Sequence, residues 1–354
     1  MISHFLPAVG RKVGGVESVA DDLAEGLTRR GHDVVVWSYD VRPVEASYVV
    51  RPLPFRRLVT SWLGRRLTMG YLANFLPLML NCRGADVIIA HGDSCLLPML
   101  GKPVLRVMHG SALGEALSAS SPSRCLLQLG VYIQELWSGM ILPGCVAVSH
   151  NTRWYNPFVR RVIPNGIDTQ TFFPDPGAKT ATPTLLFVGT LQGRKRGNLL
   201  LEWFEMSIRP RHPGAQLWMV STPGPELAGV HYFHGIDTPT LARMYREAWV
   251  YVSPSRYEGF GLPYVEAMTS GTPVVASPNP GSREVLAEGQ FGLLADDTSF
   301  PEVVNRLLDD PAEREDWVRR GLERACEYSR VTMIDRYERL LYELSHGRRF
   351  PKSA

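Results

Sequence analysis

Cysteine is scarce in this chain, and so is everything cysteine would organise. Cys82, Cys95, Cys125, Cys145 and Cys326 are scattered, with no C-x-x-C and no histidine at metal-ligand spacing. That excludes a disulfide scaffold or zinc module and suits a reduced, intracellular protein. No Asp-x-Asp pair occurs, so the carboxylate clamp that commonly holds a divalent ion against a diphosphate is missing. Long apolar runs are missing too. The most apolar window, Leu67 to Leu80, is broken by Asn74 and Pro77 and falls short of the roughly 20 residues a membrane-crossing helix needs. Arg11 and Lys12 follow a short apolar stretch instead of preceding a long one, which does not read as a signal peptide, so a cytoplasmic location is expected.

What is present is ordinary in bulk and uneven in detail. A chain of 354 residues is long for one core and suits two domains of about 150 to 200 residues. Its formal charge of +3 divides into +6 over residues 1–165 and −3 over residues 166–354. Between Val41 and Leu67, Arg42, Arg51, Arg56, Arg57, Arg65 and Arg66 face only Glu45 and alternate with residues such as Leu53, Phe55 and Trp62. This stretch either meets an anionic membrane or acceptor, or forms a solvated basic helix face. The basic residues follow no nucleic-acid reader motif, and no nucleic-acid partner is expected.

Val16, Val19, Ala20, Leu23, Ala24 and Leu27 recur at helical spacing ahead of Gly31, which predicts a helix from Gly15 to Arg30. A short strand from Ile2 to Leu6 precedes it. Apolar runs at DVVVWSY, Asp86 to Ala90, Pro103 to Met108 and Cys145 to Val148 read as buried strands separated by mostly helical stretches. That alternation argues for a parallel sheet covered on both faces. From Thr184 the pattern restarts, with LLFVG, QLWMVS, HYFHG, WVYVS and PVVAS as strands and NLLLEWFEM and TLARMYREA as helices. Pro164, Asn165 and Gly166 punctuate the seam, so two doubly wound units meet near Asn165.

The most informative stretch is Tyr257 to Gly271, YEGFGLPYVEAMTSG. It follows a buried strand and passes through Pro263, which suits a first helical turn, so Glu258 to Gly261 form a glycine-bearing loop between strand and helix. In an open parallel sheet such loops bind ligands, and free N–H groups at a helix N-terminus attract anions. Glu258 and Glu266, about 12 Å apart on a continuous helix, are too far apart for a paired acid and base. They should serve different parts of one elongated ligand. Gly14 and Gly15 are either a turn or a place where backbone approaches phosphate. Arg194, Lys195 and Arg196 are either a solvated loop or fixed cations for a diphosphate leaving group. His109, ending VLRVM, is either structural or close to the reacting sugar, with His91 as its competitor; His231 and His234 are structural or line a base pocket.

With its neighbours, EGFGLPYVEAM resembles the E-x7-E signature of retaining, nucleotide-sugar-dependent glycosyltransferases of the GT-B fold, family 4. GGVE from Gly14, MHG ending at Gly110, IPNGID from Ile163 and FVGTLQGRK from Phe187 match in the family's order. The resemblance implies two Rossmann-like α/β domains facing across a cleft: residues 1–165 for the acceptor, 166–330 for the nucleotide sugar, and a C-terminal helix, 331–354, crossing back onto the first. It implies catalytic roles for His109, Glu258, Arg194 and Lys195. Gly14, Gly15, Arg194, Lys195, Phe233, Glu258, Gly259, Phe260, Gly261, Leu262 and Glu266 would bind the donor, with Glu266 on the ribose hydroxyls. An added Arg196 departs from the family pattern and leaves open which cations point inward.

The implied reaction moves a hexosyl-type group from a UDP-sugar, or a GDP-sugar, to a saccharide, a lipid-linked saccharide or a small aglycone with retention, without cofactor or metal. Two rival readings are a sugar-nucleotide epimerase on the same architecture and a non-catalytic partner subunit. The presence of Glu258, Lys195 and Glu266 argues against the second. Since fixed cations stand where a metal clamp is missing, turnover should survive excess chelator with no divalent ion added. Complete loss of activity, restored by manganese or magnesium, would refute the fixed-cation account.

Overall fold

Alternating buried runs and amphipathic stretches yield two parallel sheets. The structure, a computed structural model, describes residues 1–3, 6–7, 15–40, 46–53, 79–92, 96–118 and 121–347. Gly14, Cys95 and most of the Val41–Leu67 stretch lie outside the described residues, as does most of the Leu67–Leu80 window. The chain divides into two compact units, one holding most of the chain up to Asn165 together with the segment from Val331 onward, the other Gly166–Arg330.

In the first unit, β1 (Ile2–Ser3), β2 (Val35–Ser38), β3 (Val49–Pro52), β4 (Ile88–His91), β5 (Val104–Met108), β6 (Gly144–Ala147) and β7 (Arg161–Val162) form a seven-stranded sheet ordered β3-β2-β1-β4-β5-β6-β7. Every pairing is parallel. Burial of every residue of β4, β5 and β6 explains their unbroken apolar runs. Helix α1 (Gly15–Arg29) buries Val19, Ala20, Leu23, Ala24 and Leu27. Three serines start the next helices by accepting from backbone N–H groups of the first turn: Ser111 for α2 (Ala112–Leu117), Ser121 for α3 (Pro122–Ile141) and Ser149 for α4 (His150–Tyr155).

The second unit orders its six strands β10-β9-β8-β11-β12-β13, all parallel. They are β8 (Thr184–Val188), β9 (Gln216–Val220), β10 (Val230–Phe233), β11 (Val250–Ser253), β12 (Val274–Ala276) and β13 (Leu293–Leu294). Between and after them run α5 (Gly197–Trp203), α6 (Thr238–Glu247), α7 (Leu262–Thr269), α8 (Pro280–Val285), α9 (Phe300–Asp309) and α10 (Pro311–Ala325). The core joins Phe187, Leu200, Phe204, Leu217, Val252 and Phe300, all fully buried. Strand order reverses between β1 and β4 in one sheet and between β8 and β11 in the other, and ligands of such sheets bind at those reversals.

Strands β3, β7 and β13 were not anticipated from sequence. β3 is a mostly exposed edge strand ending in Pro52, and the other two are only two residues long, too short to show a period. The last helix, α11 (Arg330–His346), buries Met333, Ile334, Tyr337, Leu340 and Leu341. From Val331 onward it belongs to the first unit. Arg30, just past the end of α1, reaches Asp335 at 2.5 Å and Glu338 at 2.6 Å, and Arg161 pairs with Glu343 at 3.0 Å. Among the described residues, no helix is long and apolar enough to cross a membrane.

The seam is tight. Ile167 donates to Tyr328 O at 2.7 Å and accepts from Arg330 N at 3.0 Å, so the outgoing and returning segments pair side by side. A Cβ on Gly166 would lie 2.5 Å from Arg330 Cα and 2.8 Å from Ser329 O, both backbone atoms that cannot swing away. Gly166→Ala should therefore lose about 1 to 3 kcal/mol of stability by overpacking. Gly84→Ala, where a Cβ meets nothing within 4 Å, should be near neutral. Paired thermal melts check the contrast.

Candidate active site

Two loops converge where the second sheet reverses. Beyond β8 the chain makes a single turn at Gly193–Lys195 and then α5 begins. Beyond β11 it runs through Tyr257 and Glu258 to Gly261, which has φ 104°, and into α7. That left-handed conformation is one a side chain would strain, and a Cβ there would press 2.4 Å from the Tyr264 ring. The loops are tied together where Arg256 N donates to Arg194 O at 2.8 Å.

Arg194, Lys195 and Glu258, predicted from two separate segments, form one ion cluster. Arg194 Nη1 donates to Glu258 Oε2 at 2.8 Å and to Tyr257 O at 2.6 Å, while Lys195 Nζ donates to Glu258 Oε1 at 2.5 Å. The Glu258 side chain is 7% exposed, Lys195 14% and Arg194 33%, so the cations form the outer layer. Burial alone would raise the Glu258 pKa, but the charges of Lys195 and Arg194 more than offset it and pull it down to about 2. Two cations against one carboxylate leave one positive charge at the reversal of the sheet. An anion is what such a site attracts.

Arg196 turns away. With φ 54° it sends its guanidinium to Asp297 at 2.7 and 2.8 Å, to Ser277 Oγ at 3.0 Å and to Pro254 O. There it lines a separate cavity of about 520 Å³ with Arg256, Asp296 and Asp297. The question left by the additional arginine is thus answered by backbone handedness.

Glu266 sits half-buried on α7, where its Oε2 accepts from Tyr245 OH at 2.8 Å. Because Glu258 precedes the helix, the 12 Å separation for a continuous helix does not apply. Sequence reasoning missed the aromatic support beneath both carboxylates. Tyr245, Tyr251 and Tyr264 are fully buried, with ring centroids 5.4 and 6.3 Å apart in succession. Burial, with the nearby glutamates adding to it, pushes all three phenols up, so they stay donors. Tyr264 OH is itself held by Asn279 Nδ2 at 3.1 Å. The available signal was a tyrosine in each of the segments MYREA, WVYVS and LPYVEAM, at the positions those helices and that strand bury.

The other expected residues lie on these elements with differing exposure. Phe260 and Leu262 are buried, and Phe260 packs against Tyr328 with centroids 5.6 Å apart, so these two side chains serve packing. Gly259 is half-buried. Phe233 ends β10 at the same edge of the sheet and packs edge-on against Trp218 at 6.0 Å. His231 and His234 are both exposed, which removes a structural role in the core.

In the first unit, His91 ends β4 and His109 follows β5. They were weighed as competitors, yet they form a pair, with His91 Nδ1 and His109 Nε2 2.8 Å apart and their rings stacked at 5.1 Å. Burial lowers His109 to about 4, and burial together with the neighbouring His109 holds His91 well below its ordinary value. At neutral pH the two uncharged rings share one hydrogen bond. Gly15 opens α1 and is exposed. Among the described residues no cluster of three metal-ligating side chains occurs.

Two family models match end to end: "Glycosyltransferase Family 4" over residues 13–171 and "Glycosyl transferases group 1" over residues 168–324. The phosphatidyl-myo-inositol mannosyltransferase of Mycolicibacterium smegmatis is 29% identical across 89% of this chain and 86% of its own length. Sucrose-phosphate synthase from Thermosynechococcus elongatus shares the fold at TM-score 0.77, with 22% identity over 98% of both chains. So does the Anabaena protein Alr3699/HepE, solved with UDP-glucose, at TM-score 0.73 and 16% identity over 97% of this chain and 99% of that one. The chain belongs to the glycosyltransferases of the GT-B fold, family 4. It is an enzyme that transfers a sugar from a nucleotide-sugar donor to an acceptor.

The Glu258 cluster has a pH signature. Because the folded pKa of about 2 lies below the ordinary 4.5, its stabilisation is complete above about 4.5 and is lost as pH falls through about 2. The amount is about 3 kcal/mol. Glu258→Gln cannot show this loss, so the stability gap between parent and variant should shrink as pH falls from 5 to 2. Denaturant unfolding across that range measures it, and a constant gap would contradict the charged pairing.

Proposed function

We propose that the chain is a retaining, metal-independent hexosyltransferase that uses a nucleotide diphosphate sugar. The observation that carries this reading is the Arg194–Lys195–Glu258 cluster at the reversal of the second sheet. Arg194 and Lys195 receive the diphosphate, with loop N–H groups of Phe260 to Leu262 beside them, and neutralise its growing charge as the glycosidic bond breaks. Glu258 holds both cations and orients sugar hydroxyls. Glu266, steadied by Tyr245, accepts from the vicinal ribose hydroxyls, and Phe233 borders the base. The departing diphosphate stabilises an oxocarbenium-like transition state and takes the acceptor proton on the same face. His109 borders the transferred sugar, its ring neutral and its backbone carbonyl turned to the positive charge that develops at the anomeric carbon.

On this reading residues 1–165 bind acceptor, with Gly14 and Gly15 by the phosphate, residues 166–330 bind donor, and 331–354 cap the first domain. The donor is a UDP-sugar, with a GDP-sugar as the alternative. The acceptor is a saccharide or lipid-linked saccharide, in keeping with the lipid named for the mannosyltransferase relative. The enzyme works in the cytoplasm, at the inner face of the membrane if the Val41–Leu67 stretch meets lipid.

The two glutamates should part company under mutation. Glu266→Ala should weaken free nucleoside diphosphate about 10- to 150-fold, the worth of charged hydrogen bonds. Tyr245→Phe should do so by less, about 2- to 10-fold. Glu258→Ala should leave nucleoside diphosphate affinity undiminished, since it frees two cations, and should slow transfer. Calorimetric titration beside single-turnover rates measures this. Equal losses in both glutamate variants, for nucleoside diphosphate and sugar nucleotide alike, would overturn the division.

A further inference from the structure

Helix α3 is firmly anchored on one side and bare on the other. Its buried residues are Glu135, Ser138 and Gly139. The Glu135 carboxylate accepts from Ala112 N at 3.0 and 3.2 Å, and its backbone carbonyl accepts from Asn156 Nδ2 at 2.8 Å. Tyr132 OH donates to Tyr155 O at 2.6 Å. On the opposite side, Leu126, Leu129, Ile133, Trp137 and Met140 recur at steps of three and four, which stacks them on one helical face. They are 72, 39, 68, 54 and 52% exposed. The stripe runs about 21 Å. Trp154 (78%) and Phe158 (46%), close in sequence to the Tyr155 and Asn156 contacts with α3, add two more exposed rings.

An apolar face of this length left open to solvent marks an interaction surface. The charge around it selects the partner. From residue 116 to residue 165 the sole acidic residue is Glu135, which is buried, whereas Arg124, Arg153, Arg160 and Arg161 are exposed. Arg124 and Arg161 are paired with Glu115 and Glu343. The unit carrying the stripe has a formal charge of +6 and the other unit −3. A second copy docked on this face would bring two like-charged units together, with no exposed carboxylate on either α3 to set register. An anionic bilayer supplies the opposite charge, and tryptophan suits its interface.

We propose that α3 lies in the plane of an anionic lipid surface, its Leu126–Met140 stripe in the headgroup boundary and the net positive charge of its unit holding it there. The surface is separate in sequence from Val41–Leu67 and rests on no assignment of donor or acceptor.

The test is sedimentation of the full chain with phosphatidylcholine vesicles, with and without phosphatidylglycerol, at low and high salt. The parent should sediment with phosphatidylglycerol vesicles and be released by salt. Ile133→Glu with Trp137→Glu should weaken partition at least about 100-fold, roughly tenfold or more for each large apolar side chain. Its melting temperature and nucleoside diphosphate binding should match the parent. A variant with Arg56, Arg57, Arg65 and Arg66 replaced by Gln should still depend on Ile133 and Trp137 for whatever binding it keeps. A parent that stays in the supernatant overturns the proposal, as does a double variant that sediments like the parent. A vesicle-independent dimer that the double variant abolishes also overturns it, by giving the face to a second copy.

Discussion

A buried carboxylate holding two cations at the reversal of the second sheet is the interaction on which the rest of the site depends. Glu258 keeps its charge although burial opposes it, because Lys195 and Arg194 lie at hydrogen-bond distance. Removing Glu258 leaves two cations in a poorly hydrated place with no counter-charge, which is far more costly than losing an exposed pair. The cluster therefore pins the β8–α5 loop to the β11–α7 loop and sets the direction of both. It also leaves a single net positive charge at the mouth of the loops, the charge that the proposed function assigns to a diphosphate.

The same economy appears around Glu266. For the ribose role proposed for it, this carboxylate has to be held in one rotamer beforehand, or the ligand must order it. Tyr245 supplies that hold from α6, and the buried tyrosines behind it link α6, β11 and α7 into one rigid backing. Burial raises their phenols, so they stay protonated at neutral pH and Tyr245 remains a donor to Glu266. In the first unit burial does the reverse to the paired imidazoles of His91 and His109, keeping both rings uncharged.

Arg194, Lys195 and Arg196 are adjacent in sequence and chemically alike, yet they part into two functions. One left-handed residue divides them. At φ 54° Arg196 leaves the turn in the opposite sense and settles on Asp297, a hundred residues on, where it braces the loop from behind. The cations facing Glu258 are therefore chosen by backbone geometry rather than by charge.

Much of this was legible in the sequence, because burial on both faces of a parallel sheet forces continuous apolar runs and amphipathic helices force a period of 3.6. α1, β4, β5, β8, β9 and β11 announce themselves in that way, and the loop glycines and Pro263 place Glu258 between strand and helix. The edge strands β3, β7 and β13 do not, since exposure or brevity removes the pattern. Which side chains touch was decided only in three dimensions. Nothing in the spacing of residues 91 and 109, 245 and 266, or 194 and 258 says that they meet; adjacent parallel strands and the helices between them bring those pairs together. The sequence by itself determined the elements and the residue types at their ends, because those follow from local periodicity. Tertiary structure decided the partners, because strand order and backbone handedness are properties of the packed sheet.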